Sequence, residues 1–234
     1  MKRITHIALL YILTTFSSYA QHRIEITPLD TCYATHTKIT GTKLWLPIAG
    51  VVAAGFALDQ TLSIKETDIA MGNHGLSYMG EAKVLAPVAV AMTLTGWALK
   101  NQKLTLTSNQ SLEAMVGAAA ITSLLKVACG RARPYTEEGP NSYYPFSHKG
   151  DNYRSMPSGH ATMAFAFFTP LAENYSRWFY LAPIAVAAQR VWTKQHWPSD
   201  VIVASAIGWG VGYLLAHKKS HRIGFSPNGI CIYI

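Results

Sequence analysis

Charge is scarce in this chain. Only 14% of its 234 residues are Asp, Glu, Lys or Arg and half are hydrophobic, a balance that excludes a disordered, solvating protein. No low-complexity tract interrupts the sequence, so one domain is the default, and the length suffices to bury a core. Cysteine is scarcer still. Cys32, Cys129 and Cys231 make an odd set that allows at most one disulfide, with Cys32 and Cys231 as the pair open to it. Cys129 sits inside an apolar segment and reads as a buried thiol, and none of the three reads as catalytic. Leu29-Asp30-Thr31 lacks the small apolar residues that precede a lipid-modified cysteine. Clustered basic stripes interleaved with aromatics are also missing, which excludes a nucleic-acid surface. The formal charge of +8 nevertheless suits an anionic partner; loss of Lys2 and Arg3 with a leader would lower it by two, to +6. Anionic lipid or phosphate fits that balance better than DNA.

The N-terminus reads as an export signal. Lys2 and Arg3 precede an apolar run from Ile4 to Phe16, and Ser18-Tyr19-Ala20 before Gln21 is a small-x-small cleavage pattern, which predicts cleavage after Ala20. The run is shorter than the ~20 residues that span a bilayer, which disfavours an uncleaved anchor. Residues 21–43 follow as an N-terminal extended segment. Six apolar segments come next: Leu44 to Leu58, Val84 to Leu99, Leu112 to Cys129, Ala161 to Ala172, Trp178 to Trp192 and Val201 to Ala216. Their Ala and Gly content and lack of strict alternation predict helices, and so an all-α bundle over residues 44–216. Turn-forming pieces such as Gly139-Pro140-Asn141-Ser142 punctuate it. Residues 217–234 hold a Pro-Asn-Gly turn among β-branched residues and predict an extended tail.

Three stretches carry chemistry: Lys126-x6-Arg133-Pro134, Pro157-Ser158-Gly159-His160 and Arg190-x5-His196-x3-Asp200. Together they supply three cations, two histidines and a carboxylate, a set suited to a phosphate. On the helix outline the first falls at the C-terminal end of the third helix, where Pro134 stops or follows it. Ser158 takes an N-cap position on the fourth, with the amides of Gly159 and His160 free for an anion. Arg190 lies near the end of the fifth helix, His196 in a short loop, and Asp200 at the start of the sixth. Antiparallel neighbours would bring all three stretches to one end of the bundle. Each alone has a plainer role, as a helix-terminal cation, a turn or a capping pair; their coincidence favours a site.

These residues resemble the type 2 phosphatidic acid phosphatase and vanadium haloperoxidase superfamily, over roughly residues 112–216. The third stretch reads Gln189-Arg190-Val191-Trp192-Thr193-Lys194-Gln195-His196-Trp197-Pro198-Ser199-Asp200, and Gln189 stands where that family usually has a small serine, which alters the packing behind Arg190. The resemblance implies a six-helix bundle with its active site at one end, and hydrolysis of a phosphate monoester or diphosphate through a phosphohistidine. Lys126, Arg133 and Arg190 would stabilise the equatorial oxygens, with the Ser158 hydroxyl and the Gly159 amide completing the cradle. Neutral His196 would attack phosphorus while Asp200 accepts a hydrogen bond from its other ring nitrogen, and protonated His160 would donate to the leaving group. No metal or other cofactor is needed in this scheme; vanadate is expected as an inhibitor.

The substrate class implied is a phosphorylated envelope lipid: lipid A phosphate, polyprenyl diphosphate or a phosphatidyl phosphate. The rival readings are a soluble periplasmic acid phosphatase of broad specificity, a haloperoxidase with vanadate as cofactor, and a phosphate-binding module without catalysis. Trp192, Trp197, Tyr135 and Phe165 are candidates to line a lipid entrance, against their plainer role as core aromatics. His74 and His148 have no partner spacing and read as surface histidines. The loops 59–83 and 135–153 are expected to contact the body of the substrate.

Membrane depth is open at this stage. Apolar runs of 12 to 18 residues and a mean hydropathy of +0.14 favour a globular or peripheral protein. With a cleaved leader and six spans the site would face the cytoplasm, yet the basic cluster His217-Lys218-Lys219-Ser220-His221-Arg222 fits a cytoplasmic end opposite an outward site. An exported envelope protein with a periplasm-facing site is the expectation.

Overall fold

One helix, α5 (Gly159–Asn174), is buried along most of its length, and the other long helices are arranged around it. The structure, a computed structural model, describes residues 42–61, 74–146, 150–217, 223–226 and 229–232. The predicted leader, Cys32 and His148 lie outside the described residues, as do the side chains of His74 and Cys231. Among the described residues the helices in chain order are α1 (Thr42–Thr61), the short α2 (His74–Tyr78), α3 (Ala82–Ala98), α4 (Gln102–Cys129), α5, α6 (Leu181–Trp192) and α7 (Pro198–Ala216). The six expected helices are all present, and α2 is an additional short one. In the tail, β1 (Ile223–Ser226) pairs antiparallel with β2 (Gly229–Ile232), in register Ile223 to Ile232. The pair belongs to a second compact unit.

The largest departure from expectation is α4, which begins at Gln102 rather than Leu112. Its first turns read Gln-Lys-Leu-Thr-Leu-Thr-Ser-Asn-Gln, residues that favour turns in isolation because their side chains compete for backbone groups. Here the competition is settled within the helix. Asn101 caps it by accepting from the Leu104 amide at 3.0 Å, and the Thr107 and Ser108 hydroxyls donate to the carbonyls of Lys103 and Leu104 at 2.8 and 2.9 Å. The same hydroxyl face is turned inward: Ser108 bonds Thr93 of α3 at 2.8 Å, Ser111 donates to the Phe167 carbonyl at 2.9 Å, and Thr122 meets Thr162 at 3.2 Å.

The outer surface is correspondingly apolar. Leu106, Val116, Ile121, Leu124 and Val127 of α4 are exposed, as are Val88 and Leu94 of α3, Leu181 and Ile184 of α6 and Leu214 of α7. Hydroxyls bonded between helices beside a core of Leu85, Met115, Phe167 and Leu171, together with this apolar exterior, depart from the pattern of a water-soluble bundle. Two helices, α4 and α7, are long and apolar enough to cross a membrane.

Small residues let α7 lie directly on α5. A Cβ built on Gly208 would collide with the carbonyl oxygen of Thr162 and sit 2.8 Å from the Phe165 Cβ. Gly208→Val is therefore expected to force the two helices apart and lower stability by roughly 1–3 kcal/mol or more. Gly210→Ala, whose Cβ would meet nothing within 4 Å, is expected to be neutral or mildly stabilising. Thermal unfolding of the two variants in detergent distinguishes them; equal melting would show that the α5–α7 contact tolerates a side chain.

Candidate active site

The cap of α4 at Gly130, the lead-in to α5 and the 193–197 turn between α6 and α7 come together at one end of the helical body. Lys126, in the last turn of α4, donates from Nζ to the Arg154 carbonyl at 2.6 Å, and its Cε lies 3.9 Å from the position a Cβ on Gly159 would take. Arg133 follows the cap of α4 in extended backbone. It is nearly buried, reaches Gln195 Oε1 at 3.4 Å, and is held by the exposed Asp151 through its carboxylate at 2.6 Å and its carbonyl at 3.1 Å. Arg190 is at the C-terminal end of α6, and its carbonyl accepts the Gln195 and His196 amides at 3.2 and 3.3 Å, folding the turn back onto the helix.

Ser158 occupies the N-cap position of α5, and its amide donates to the Asp200 carbonyl at 3.2 Å, which joins the start of α5 to the start of α7. Its side chain departs from expectation: the hydroxyl caps nothing and is fully buried without a hydrogen-bond partner. The amides of Gly159 and His160 are the first of α5 and have no acceptor within the helix. Arg190 Nε is likewise buried and unpartnered. All eight residues read from the sequence thus converge, and the convergence leaves donors without acceptors.

His196 is 3% exposed and its Nδ1 lies 2.7 Å from the Ser155 carbonyl. A carbonyl only accepts, so Nδ1 carries the hydrogen and Nε2 keeps its lone pair. The expected hydrogen bond to Asp200 is not made: Nδ1 and Asp200 Oδ2 are 3.9 Å apart. The carboxylate is already occupied. Its Oδ1 accepts from Arg131 Nη1 at 2.6 Å, and its Oδ2 accepts from the Ser155 hydroxyl and from the Trp197 amide, the latter at 2.9 Å. Asp200 therefore orients His196 through Ser155 and caps α7. Burial, reinforced by Lys126, Arg133 and Arg190, pushes the His196 imidazole well below its ordinary value of 6.5, so the ring is neutral near pH 7.

The sequence reading missed the residue at the centre of this network. Arg131 has no exposed surface and joins two carboxylates: Nη2 donates to Asp59 Oδ2 of α1 at 2.7 Å while Nη1 donates to Asp200 and, at 2.6 Å, to the Ser199 hydroxyl. Asp59 also accepts from the Ser199 amide at 2.9 Å. It was expected to border a substrate-contacting loop, and it is instead buried. The sequence offered little signal: Arg131 stands in Gly130-Arg131-Ala132-Arg133, outside the apolar segment that ends at Cys129. Trp197 is buried, donating to the Ala132 carbonyl at 2.9 Å, which removes it from any lipid entrance; Trp192 and Tyr135 are exposed. Gln189 uses its amide to reach Ser77 of α2 at 2.8 Å, so the larger side chain braces Arg190's helix against that element.

Removing Arg131 would leave two buried carboxylates without their cation. Arg131→Met is expected to cost about 3–5 kcal/mol and to abolish activity, whereas Asp151→Asn, which removes an exposed partner of Arg133, should leave stability within about 0.5 kcal/mol. Detergent-phase unfolding measures both; parental stability in Arg131→Met would show that the network is dispensable.

The PAP2 superfamily profile matches residues 109–223, a range that takes in all three stretches. A lipid A 1-phosphatase from Rhizobium etli is 30% identical over 193 residues, covering 74% of this chain and 82% of that protein. A lipid A 1-phosphatase from Rhizobium johnstonii is 38% identical over 99 residues, 40% of each chain. Among solved structures, a transmembrane PAP2-type phosphatidylglycerolphosphate phosphatase from Bacillus subtilis aligns with a TM-score of 0.49 at 17% identity, covering 74% of this chain and 92% of that one. The profile match and an identity sustained across four-fifths of a relative agree with the motif residues gathered at the bundle end: the chain belongs to the PAP2 superfamily.

Proposed function

We propose that this PAP2-type phosphatase is embedded in a membrane and removes phosphate from an envelope lipid at a site facing away from the cytoplasm, through a phosphohistidine on His196. The observation that carries this reading is the set of buried donors without acceptors, the Ser158 hydroxyl and Arg190 Nε, beside a neutral histidine. An unsatisfied buried donor costs about 1–3 kcal/mol, and a phosphate dianion would satisfy both. Lys126, Arg133 and Arg190 supply the positive charge that many phosphatases draw from a metal. Arg133 would exchange the Asp151 carboxylate for phosphate oxygens of the same geometry.

In the first step the Nε2 lone pair of His196 attacks phosphorus and the bond from phosphorus to the lipid oxygen breaks. His160 gives its proton to that oxygen. Water then attacks the phosphohistidine, His160 takes a proton back, and the phosphorus–nitrogen bond breaks to release phosphate. Ser155 keeps the hydrogen on Nδ1 throughout the attack.

A lipid substrate is supported by three features. The apolar outer faces of α3, α4, α6 and α7 suit a bilayer, with polar groups satisfied inside. The names of the rhizobial relatives put lipid A phosphate first among candidate substrates. An apolar groove of about 650 Å³ also runs from Tyr78 and Met79, beside the site, past Val88, Phe167 and Leu171 to Tyr175, and is suited to an acyl chain. Orientation follows from α7: its N-terminus is at the site, and its C-terminus leads into the basic residues Lys218, Lys219 and Arg222, which favour the cytoplasmic side.

The test is phosphate release by the detergent-solubilised protein from lipid A, undecaprenyl diphosphate, phosphatidylglycerol phosphate and p-nitrophenyl phosphate, with EDTA without effect and vanadate inhibitory. His196→Ala should lower kcat by at least ~1,000-fold and abolish labelling of the protein by radioactive phosphate. Because protonation removes the nucleophile and His196 is held well below 6.5, the acid limb of kcat/KM should lie below pH 6.5. Activity surviving His196→Ala would remove the phosphohistidine; absence of release from every substrate would leave a binding protein.

A further inference from the structure

His160, the proposed proton donor, is set among cations. Arg190 faces it from α6, and Arg133 and Lys126 face it from the end of α4 and the segment beyond. Three positive charges disfavour a positive imidazolium, and a donor that cannot hold its proton cannot deliver it. The remaining element packed on His160 is the turn into α3. Gly80 lies directly against it: a Cβ there would sit 2.9 Å from the His160 Cβ and 3.0 Å from its carbonyl oxygen. Only a residue without a side chain lets this turn approach so closely, and the approach brings the next residue, Glu81, over the ring.

Glu81 Oε1 stands 3.9 Å from His160 Nε2, and its other oxygen is tied to Lys83 Nζ at 2.6 Å. Neither ring nitrogen of His160 has a hydrogen-bond partner among the described residues, so the imidazole faces one carboxylate with its remaining nitrogen available. We propose that Glu81 is a positioning residue, the counter-charge that orients His160 and holds its proton for the departing lipid oxygen. The inference rests on His160 being the proton donor. Burial, with Arg190, Arg133 and Lys126, pushes His160 down to about 4 in the unliganded site, and Glu81 alone among its charged neighbours acts in the opposite sense. A separation of 3.9 Å is an ion pair without a hydrogen bond, and catalytic contacts of this length commonly tighten when substrate binds. Incoming phosphate, by offsetting the three cations, would complete the protonation that Glu81 favours.

The sign of the effect is fixed. A general acid works only while protonated, so kcat falls as pH rises through the pKa of His160 in the substrate complex, and loss of Glu81 moves that basic limb to lower pH. In the full-length enzyme, Glu81→Gln is expected to shift the basic limb of kcat for a lipid phosphate down by about one unit and to lower kcat near pH 7 about tenfold, with KM changed little. With p-nitrophenyl phosphate, whose leaving group departs without a proton, the burst of p-nitrophenol that accompanies phosphorylation of the enzyme should stay within about threefold of the parental rate in the same variant. Glu81→Asp should recover part of the limb shift. Parental inhibition by vanadate in Glu81→Gln would show that the phosphate cradle is assembled. An unshifted limb, or equal slowing of enzyme phosphorylation by both substrates, overturns the role of Glu81. His160→Ala separates the two readings. If it slows phosphorylation by the lipid but not the p-nitrophenol burst, while Glu81→Gln leaves both rates and the limb at parental values, only the Glu81 inference falls. If it slows both phosphorylation steps equally, the donor role of His160 falls and takes the Glu81 inference with it.

Discussion

The buried ion triad Asp59–Arg131–Asp200 is the constraint on which the site depends. Its members come from the end of α1, the residue after the α4 cap and the first turn of α7, and Ser199 and Ser155 close it with hydroxyl bonds. A guanidinium suits this position because its planar fork serves two carboxylates and a hydroxyl at once. Net stabilisation is not the reason to keep such a group, since desolvating three charges offsets most of their attraction. Its effect is geometric. Ser155 is held by Asp200 through its side chain, and Ser155 then holds His196 through its carbonyl. The orientation of the nucleophile is thereby tied to a residue 72 positions before Arg131 in the chain.

That arrangement separates two tasks that a simpler dyad would combine. A carboxylate bonded directly to His196 would place a negative charge next to the ring proposed to receive a phosphoryl group. A carbonyl fixes the same tautomer with a dipole in place of a full charge. The charge of Asp200 is spent on Arg131, the Ser155 hydroxyl and the Trp197 amide, and the cations facing His196 remain uncompensated from that side. Those cations keep the imidazole neutral and await the phosphate. The same electrostatics creates the difficulty at His160, which needs a proton in surroundings that reject one.

Local chemistry was legible in the sequence, and pairings across the chain were not. Lys126, Arg133, Ser158, Gly159, His160, Arg190, His196 and Asp200 lie within stretches of at most eleven residues, where spacing on a helix or turn determines what a side chain can face. The end of α4 falls at Cys129 as read, whereas α7 begins at Pro198, ahead of the expected Val201. The hydrogen bond of Asp200 to His196 was expected from the resemblance and the proposed chemistry, and it is not made because Arg131 and Ser155 occupy the same oxygens. Asp59 and Glu81 carry no local signal; their importance arises from where α1 and α3 are packed. The first ten residues of α4 were hidden for another reason. A run of Thr, Ser, Asn and Gln resembles a loop until it is known that its hydroxyls face a protein interior.

That inward polarity bears on where the chemistry can happen. In water this bundle would leave many large apolar side chains exposed, although its helices meet through a core of Leu85, Met115, Met163, Phe167 and Leu171 beside the hydroxyls of Thr93, Ser108, Ser111, Thr122 and Thr162. In hydrocarbon the balance reverses: the outward leucines and valines are already solvated, and close small-residue packing with interhelical hydrogen bonds becomes the cohesive force. Gly208 and Gly212 against α5 fit that regime. The charged residues of the site are confined to one end of the bundle, where α5 and α7 begin and α4 and α6 finish. A phosphorylated lipid with its tails among the exposed faces would present its headgroup at that level. If the proposed embedding holds, the end of the bundle that gathers the motif residues lies at the depth at which a membrane displays phosphates, and substrate selection would fall to the apolar groove and the loops above the site.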